Sequence, residues 1–70
     1  MGAFNHKALA RFREKLNLSR RDVIIQLHDA GLEVTESTLL NWEEGATTPD
    51  ADKLMPLCKV FGVSVEDLIS

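Results

Sequence analysis

The chain has little of what marks secreted, membrane-bound or disulfide-stapled proteins. Its one cysteine, Cys58, cannot form an internal disulfide, and its place in the apolar run LMPLCKVF marks it as a small core residue. Only two prolines, with 44% apolar and 27% charged residues, exclude collagen-like and disordered compositions. No stretch approaches the ~20 apolar residues of a membrane span. The opening MGAFNHKALARF lacks the charged-then-apolar layout of a signal peptide, so a cytoplasmic protein is expected. Chemistry-bearing constellations are scarce too. His6 and His28 have no cysteine or carboxylate at metal-ligand spacing, there is no glycine-rich phosphate loop, and no Ser/His/Asp set presents itself. These absences argue against an enzyme and against a bound metal or cofactor.

Positive charge is scarce in most of the chain, and its distribution matters more than the net −3. Residues 1–21 hold six bases (Lys7, Arg11, Arg13, Lys15, Arg20, Arg21) and one acid, Glu14, a balance of +5. Residues 22–70 hold two bases, Lys53 and Lys59, and ten acids, a balance of −8. A molecule so divided presents one positive face, which can meet phosphate despite an acidic total.

What is present is a series of helix starts. Asn5, Ser19, Thr35, Asp50 and Ser64 are all residues whose side chains accept a bond from the otherwise unpaired backbone N–H groups of a first turn. Each is preceded by an apolar residue suited to pack on the fourth helical position: Phe4 with Leu9, Leu18 with Val23, Val34 with Leu39, Pro49 with Leu54, Val63 with Leu68. Ser19 with Asp22, and Ser64 with Asp67, have capping-box spacing. Helices are predicted over 6–17, 20–30, 36–44, 51–61 and 65–69. Apolar stripes lie on the first (Ala8, Leu9, Phe12, Leu16), second (Val23, Ile24, Leu27) and fourth (Leu54, Leu57, Cys58, Phe61). Gly31 and Gly62 fit left-handed helix ends, with Leu32 folding back on Leu27. Pro56 removes a hydrogen bond to the carbonyl of Asp52, so a bend is expected there. The fold class is all-α, a compact five-helix bundle, expected as one domain over 1–70.

Leu18-Ser19 at the second helix, Ser37-Thr38-Leu39 inside the third, Trp42-Glu43-x-Gly45 closing it, Pro49 in the next loop and FGVSVEDLI at the end follow one another in an order that resembles the phage-repressor (Cro/cI-type, XRE-like) helix-turn-helix domain. The resemblance covers nearly the whole chain and implies a lambda-repressor-like bundle whose second and third helices form the helix-turn-helix. One departure stands out: the family joins those helices by a short glycine-containing turn, whereas HDAGLEV is longer.

The resemblance implies a third helix in the major groove of double-stranded DNA and a second helix whose start fastens to phosphate. Base-reading positions are then Glu36, Ser37 and Asn41, with Thr38 and Leu40 nearby. Asn can pair bidentately with adenine, Glu can accept from the cytosine amino group, Ser can pair with either edge, and Leu can meet a thymine methyl. Phosphate contacts fall to Arg20 and Arg21, and to Thr47 and Thr48 in GATTPD, which lacks the family's usual basic residue. Glu43 is implied to pair with Arg13 beneath the recognition surface. Glu36 has two other readings besides base contact: it is held by Arg20, or it repels DNA. Val65, Leu68 and Ile69 exceed what a short last helix can bury, which makes them candidates for a homodimer contact.

Two functions follow. The leading one is a bacterial or phage transcriptional regulator, most simply a repressor, binding a palindromic operator as a homodimer. The alternative is a helix-turn-helix scaffold for protein contact, such as a toxin or polymerase partner, favoured by a third helix and following loop without lysine or arginine.

Overall fold

The computed structural model describes residues 3–69, and they form five helices: α1 (His6–Lys15), α2 (Arg20–Asp29), α3 (Glu36–Glu44), α4 (Ala51–Phe61) and α5 (Val65–Leu68). Among the described residues there is no strand, only an isolated antiparallel bridge between Phe4 and Ile69 that ties the two ends of the chain together. The Asn5 N–H donates to the Leu68 carbonyl at 2.7 Å in the same place.

Each helix begins where a capping residue was expected. Asn5, Ser19 and Thr35 accept from the backbone N–H groups of Ala8, Asp22 and Thr38 at 3.0, 3.0 and 3.1 Å. The Ser19 N–H donates back to the Asp22 carboxylate at 2.9 Å, which completes a capping box. At Ser64 the N–H and the hydroxyl both donate to Asp67, at 3.0 and 3.1 Å. Asp50 is the exception, since its side chain makes no cap bond and lies 3.6 Å from Lys53 Nζ instead.

The helix ends correct the sequence reading in three places. α1 stops at Lys15 rather than 17 because Asn17 takes the left-handed conformation (φ 57°). The Asn17 and Leu18 N–H groups then return to the carbonyls of Glu14 (2.9 Å) and Arg13 (3.1 Å), the bond pair of a Schellman ending. Leu16 is thereby turned out of the apolar stripe and is 48% exposed. α2 ends one residue early, at Asp29, followed by the same motif at Gly31 (φ 91°), with Gly31 and Leu32 donating to His28 and Leu27. α5 ends at Leu68, because Ile69 is extended and joined to Phe4. α4 is helical on both sides of Pro56, where a bend was expected.

The core is built from Leu9, Val23, Leu27, Leu39, Trp42, Leu57, Cys58, Phe61 and Leu68. Phe4, Leu18, Val34 and Val63, the apolar residues that precede four of the caps, pack against it. Burial and the charge of Asp67 push the Cys58 thiol pKa up, which keeps the residue a neutral packing group. α3 packs on both α1 and α2, while α4 packs on α2 and α5. The lengthened connection does not part α2 from α3. Leu32 and Val34 turn inward onto the core, and the exposed Glu33 between them lies 2.7 Å from His28 Nδ1, so the additional residues lie along the bundle.

Candidate nucleic-acid interface

α3 is held at one end and open at the other. Its inner face, Leu39, Trp42 and Glu43, is buried. Burying a carboxylate is costly unless it is paired and its lone pairs are filled. Glu43 meets that requirement with two arginines. Arg13 donates through Nε to Oε2 (2.7 Å) and through Nη2 to Oε1 (3.2 Å), and Arg20 donates through Nε to Oε1 (3.0 Å). Arg13 spends its remaining terminal nitrogen on the Leu18 carbonyl (3.0 Å). The side chains are 3% exposed for Glu43, 13% for Arg13 and 40% for Arg20, so only Arg20 reaches solvent appreciably. The Arg13–Glu43 pair is the one the family resemblance implies. The second arginine is a finding of the structure.

His6 secures the same end of α3, which sequence reasoning missed. Its Nδ1 lies 2.8 Å from the Trp42 carbonyl; a carbonyl only accepts, so Nδ1 carries the proton. The ring also meets Phe4 edge-on and lies so close to Gly45 that a Cβ there would sit 3.4 Å from it. Gly45 itself has φ 84°, a conformation that disfavours any side chain. No periodicity relates residues 36 apart in sequence, so nothing local signalled the His6 contact.

The opposite end of α3 is exposed. Glu36 and Ser37 are open to solvent, and Thr38, Leu40 and Asn41 are half-buried. Glu36, Ser37 and Leu40 line one groove together with Arg13, Ser19, Arg20 and Arg21 from the end of α1 and the start of α2. Thr38 and Asn41 are not among the groove's lining residues, and the Thr38 hydroxyl is hydrogen-bonded to that of Thr35 at 3.0 Å. Thr47 and Thr48 are exposed in the loop beyond Gly45, where the Ala46 N–H returns to the Asn41 carbonyl at 3.0 Å. Arg21 is exposed and, like Glu36, has no ion-pair partner among the described residues. The notion that Arg20 holds Glu36 is therefore corrected: its ion-pair partner is the buried Glu43.

At the start of α2 the Ser19 N–H and hydroxyl hold the Asp22 carboxylate below its ordinary pKa. The dimer candidates divide. Leu68 is 0% exposed and belongs to the chain's own core, so it offers nothing to a partner; Val65 and Ile69 are half-buried. Among the described residues no group of three or more His, Cys, Asp or Glu could hold a metal ion, and no helix is long and apolar enough to cross a membrane.

A family model described as Helix-turn-helix matches residues 9–68. The chain belongs to this Cro/cI-like helix-turn-helix family. Family membership makes it a DNA-binding regulatory domain, a class not typically enzymatic, and its helix-turn-helix is α2 and α3 with the lengthened connection between them. No curated protein matches the chain.

Proposed function

We propose that this helix-turn-helix domain is a repressor that binds a palindromic operator as a homodimer, with α3 lying in the major groove and the two copies of α3 about one DNA turn apart. The observation that carries the reading is the shared groove. It sets exposed polar residues of α3 (Glu36, Ser37) beside Ser19, Arg20 and Arg21 at the start of α2, so base edges and an adjacent phosphate can be met at once. Thr38 and Asn41 extend the reading face of α3, and Thr47 and Thr48 add hydrogen bonds to the backbone without releasing counterions. The dimer contact falls to Val65 and Ile69, the apolar residues of the C-terminal end that the core leaves half-exposed.

Selection of bound sequences from a random DNA pool tests this directly. A recovered palindrome supports both operator reading and dimerisation, and the absence of any enriched sequence overturns the reading. Sedimentation of Ile69→Glu against the parent tests the contact separately, with a shift toward monomer expected.

One feature favours a second reading, protein contact through the same scaffold: α3 and the loop after it carry no lysine or arginine. Lack of DNA binding by the parent, even at low salt, would promote it.

A further inference from the structure

The Glu43 carboxylate lies on α3, the helix proposed to read bases, whereas Arg20 opens α2, the helix proposed to hold phosphate. Resting on that DNA-binding reading, we infer that Glu43 is a positioning residue for phosphate recognition, orienting the Arg20 guanidinium so that its terminal nitrogens face a backbone phosphate.

The argument begins from donor count. A guanidinium has five N–H donors in a rigid planar fork. Arg13 has engaged all three of its nitrogens, on both Glu43 oxygens and the Leu18 carbonyl. Arg20 has engaged Nε alone, and its two terminal nitrogens have no partner among the described residues. Because the fork is planar, fixing Nε on a carboxylate that is itself buried and held by Arg13 fixes the plane and direction of the remaining donors. An arginine without this brace would distribute them over many rotamers and lose more entropy on binding.

Charge points the same way. Two arginines share one carboxylate, so the cluster retains one uncompensated positive charge, and the side of it that reaches solvent is Arg20. A phosphodiester carries one negative charge and two acceptor oxygens, the geometry that a guanidinium meets bidentately. The groove beside Arg20 also contains Ser19, Arg21 and Ser37, all able to donate, while Glu36 is the acidic group facing it from α3. Glu43 thus serves the polyanion although it is an anion. Its charge is consumed by Arg13 and it passes on orientation. It also joins the phosphate grip to the reading helix through one carboxylate, so the position of the phosphate fixes the register of α3.

The test compares an arginine with a lysine. A lysine keeps the charge but carries its donors on a single nitrogen, so it cannot occupy the Nε place on Glu43 and also present donors further out. Affinity of the full chain for a mixed-sequence DNA duplex would be measured across a salt series for the parent, R20K, R20A and E43Q, with thermal stability recorded alongside. R20K is expected to bind like R20A, each with a salt-slope magnitude lower than the parent's by about one. Folded E43Q is expected to show the same lowered slope with Arg20 present, and R20A added to E43Q should change binding no further. Parental binding by R20K would overturn the inference alone, because charge without orientation would then suffice. A parental slope in folded E43Q would also overturn it. Should E43Q fail to fold, R20K against R20A decides, since Arg20 is well enough exposed for both to fold. Failure of the parent to bind the duplex at low salt would overturn the DNA reading and this inference together.

Discussion

The two ends of α3 are built on opposite principles. At the C-terminal end Trp42 and Glu43 are buried, His6 bonds the Trp42 carbonyl, two arginines hold Glu43, and Gly45 turns the chain away in a left-handed conformation. At the N-terminal end the Thr35 side chain bonds to the first turn, and Glu36 and Ser37 project from it with no side-chain partner among the described residues. One end carries most of the polar interactions that fix the helix, and the other presents groups free to bond elsewhere. A reading helix needs both. Unpartnered side chains discriminate only if the backbone beneath them does not move, and a firmly held helix has nothing to read with if its polar groups are already satisfied. Substitutions at the held end should therefore appear in stability, and those at the open end in DNA preference.

The largest break of this contrast is at Glu43. Removing one partner of a buried, hydrogen-bonded ion pair costs about 3–5 kcal/mol, because the other charge is left stranded. With two arginines on one carboxylate the partners are not equivalent. Glu43→Gln strands Arg13 and loosens Arg20, whereas Arg13→Met leaves Glu43 with Arg20 still on it. Urea melts should therefore rank Glu43→Gln as more destabilising than Arg13→Met, with Arg20→Ala mildest of the three. Equal effects of the first two would mean that Arg20 contributes nothing to satisfying Glu43.

At the open end the effect should move from stability to recognition. Glu36→Ala removes an exposed side chain with no ion pair among the described residues, so melting should be nearly unchanged. If Glu36 accepts from a cytosine amino group, the variant loses about 1–3 kcal/mol against sites bearing that cytosine and little elsewhere. Asn41→Ala should likewise flatten preference at one base pair. Its half-buried position beside the Gly45 turn makes it the less clean of the two tests. Tighter binding of Glu36→Ala to every sequence would show that the carboxylate restrains affinity instead of reading.

His6 provides a smaller test at the held end. His6→Ala deletes the donor on the Trp42 carbonyl and opens the space beside Gly45. A lost hydrogen bond of this kind is worth about 1 kcal/mol, rising toward about 3 if the carbonyl finds no water. The change should appear in urea melts without altering the order of preference among DNA sites. A reordered preference would mean that α3 shifts when this contact goes.

This asymmetry also explains what could be read without coordinates. The open end and the helix starts are local chemistry: Ser19 sits three residues before Asp22, Thr35 three before Thr38, and an apolar residue precedes each cap, all within one turn of chain. Such signals survive in sequence because the bond and the residues making it are neighbours. Asn17 was legible on the same grounds, as an asparagine between Leu16 and Leu18 just before a cap, yet the apolar Leu16 suggested a longer helix. The held end depends on pairs 23, 30 and 36 residues apart. Arg13 with Glu43 was reached only through family resemblance. Arg20 with Glu43 departs from the resemblance, which left Arg20 to phosphate, and the partner weighed for it inside the protein was Glu36 at the start of the third helix, not Glu43 near its end. Leu68 was counted among the dimer candidates because the apolar residues of a short helix were weighed without the segment at Phe4 and Asn5, which pairs with the backbone of Leu68 and Ile69.

The smallest effect compares the starts of the two helices that form the groove. α2 begins with a capping box whose third residue is a carboxylate, Asp22, whereas α3 begins with hydroxyls only, Thr35 and Thr38. The Ser19 N–H and hydroxyl bond to the ionised form of Asp22, so its pKa is lower in the folded chain than in the unfolded one. A depressed carboxylate stabilises the fold above its unfolded pKa of about 4, and that contribution is lost as pH falls through the lowered folded value. Acid should therefore loosen the start of α2, the side proposed to hold phosphate, while the hydroxyl cap of α3 is unaffected. Asp22 is fully exposed, so the change is small and best read as a difference. Asp22→Asn should be slightly less stable than the parent at neutral pH, and the gap should close as the solution is acidified below about pH 4. Amide exchange at Ser19, whose N–H bonds to the Asp22 carboxylate, should follow the same course, with the Thr38 amide as a control whose protection does not depend on a carboxylate. A gap that stays constant down to strong acid would mean that the Asp22 charge plays no part in the cap.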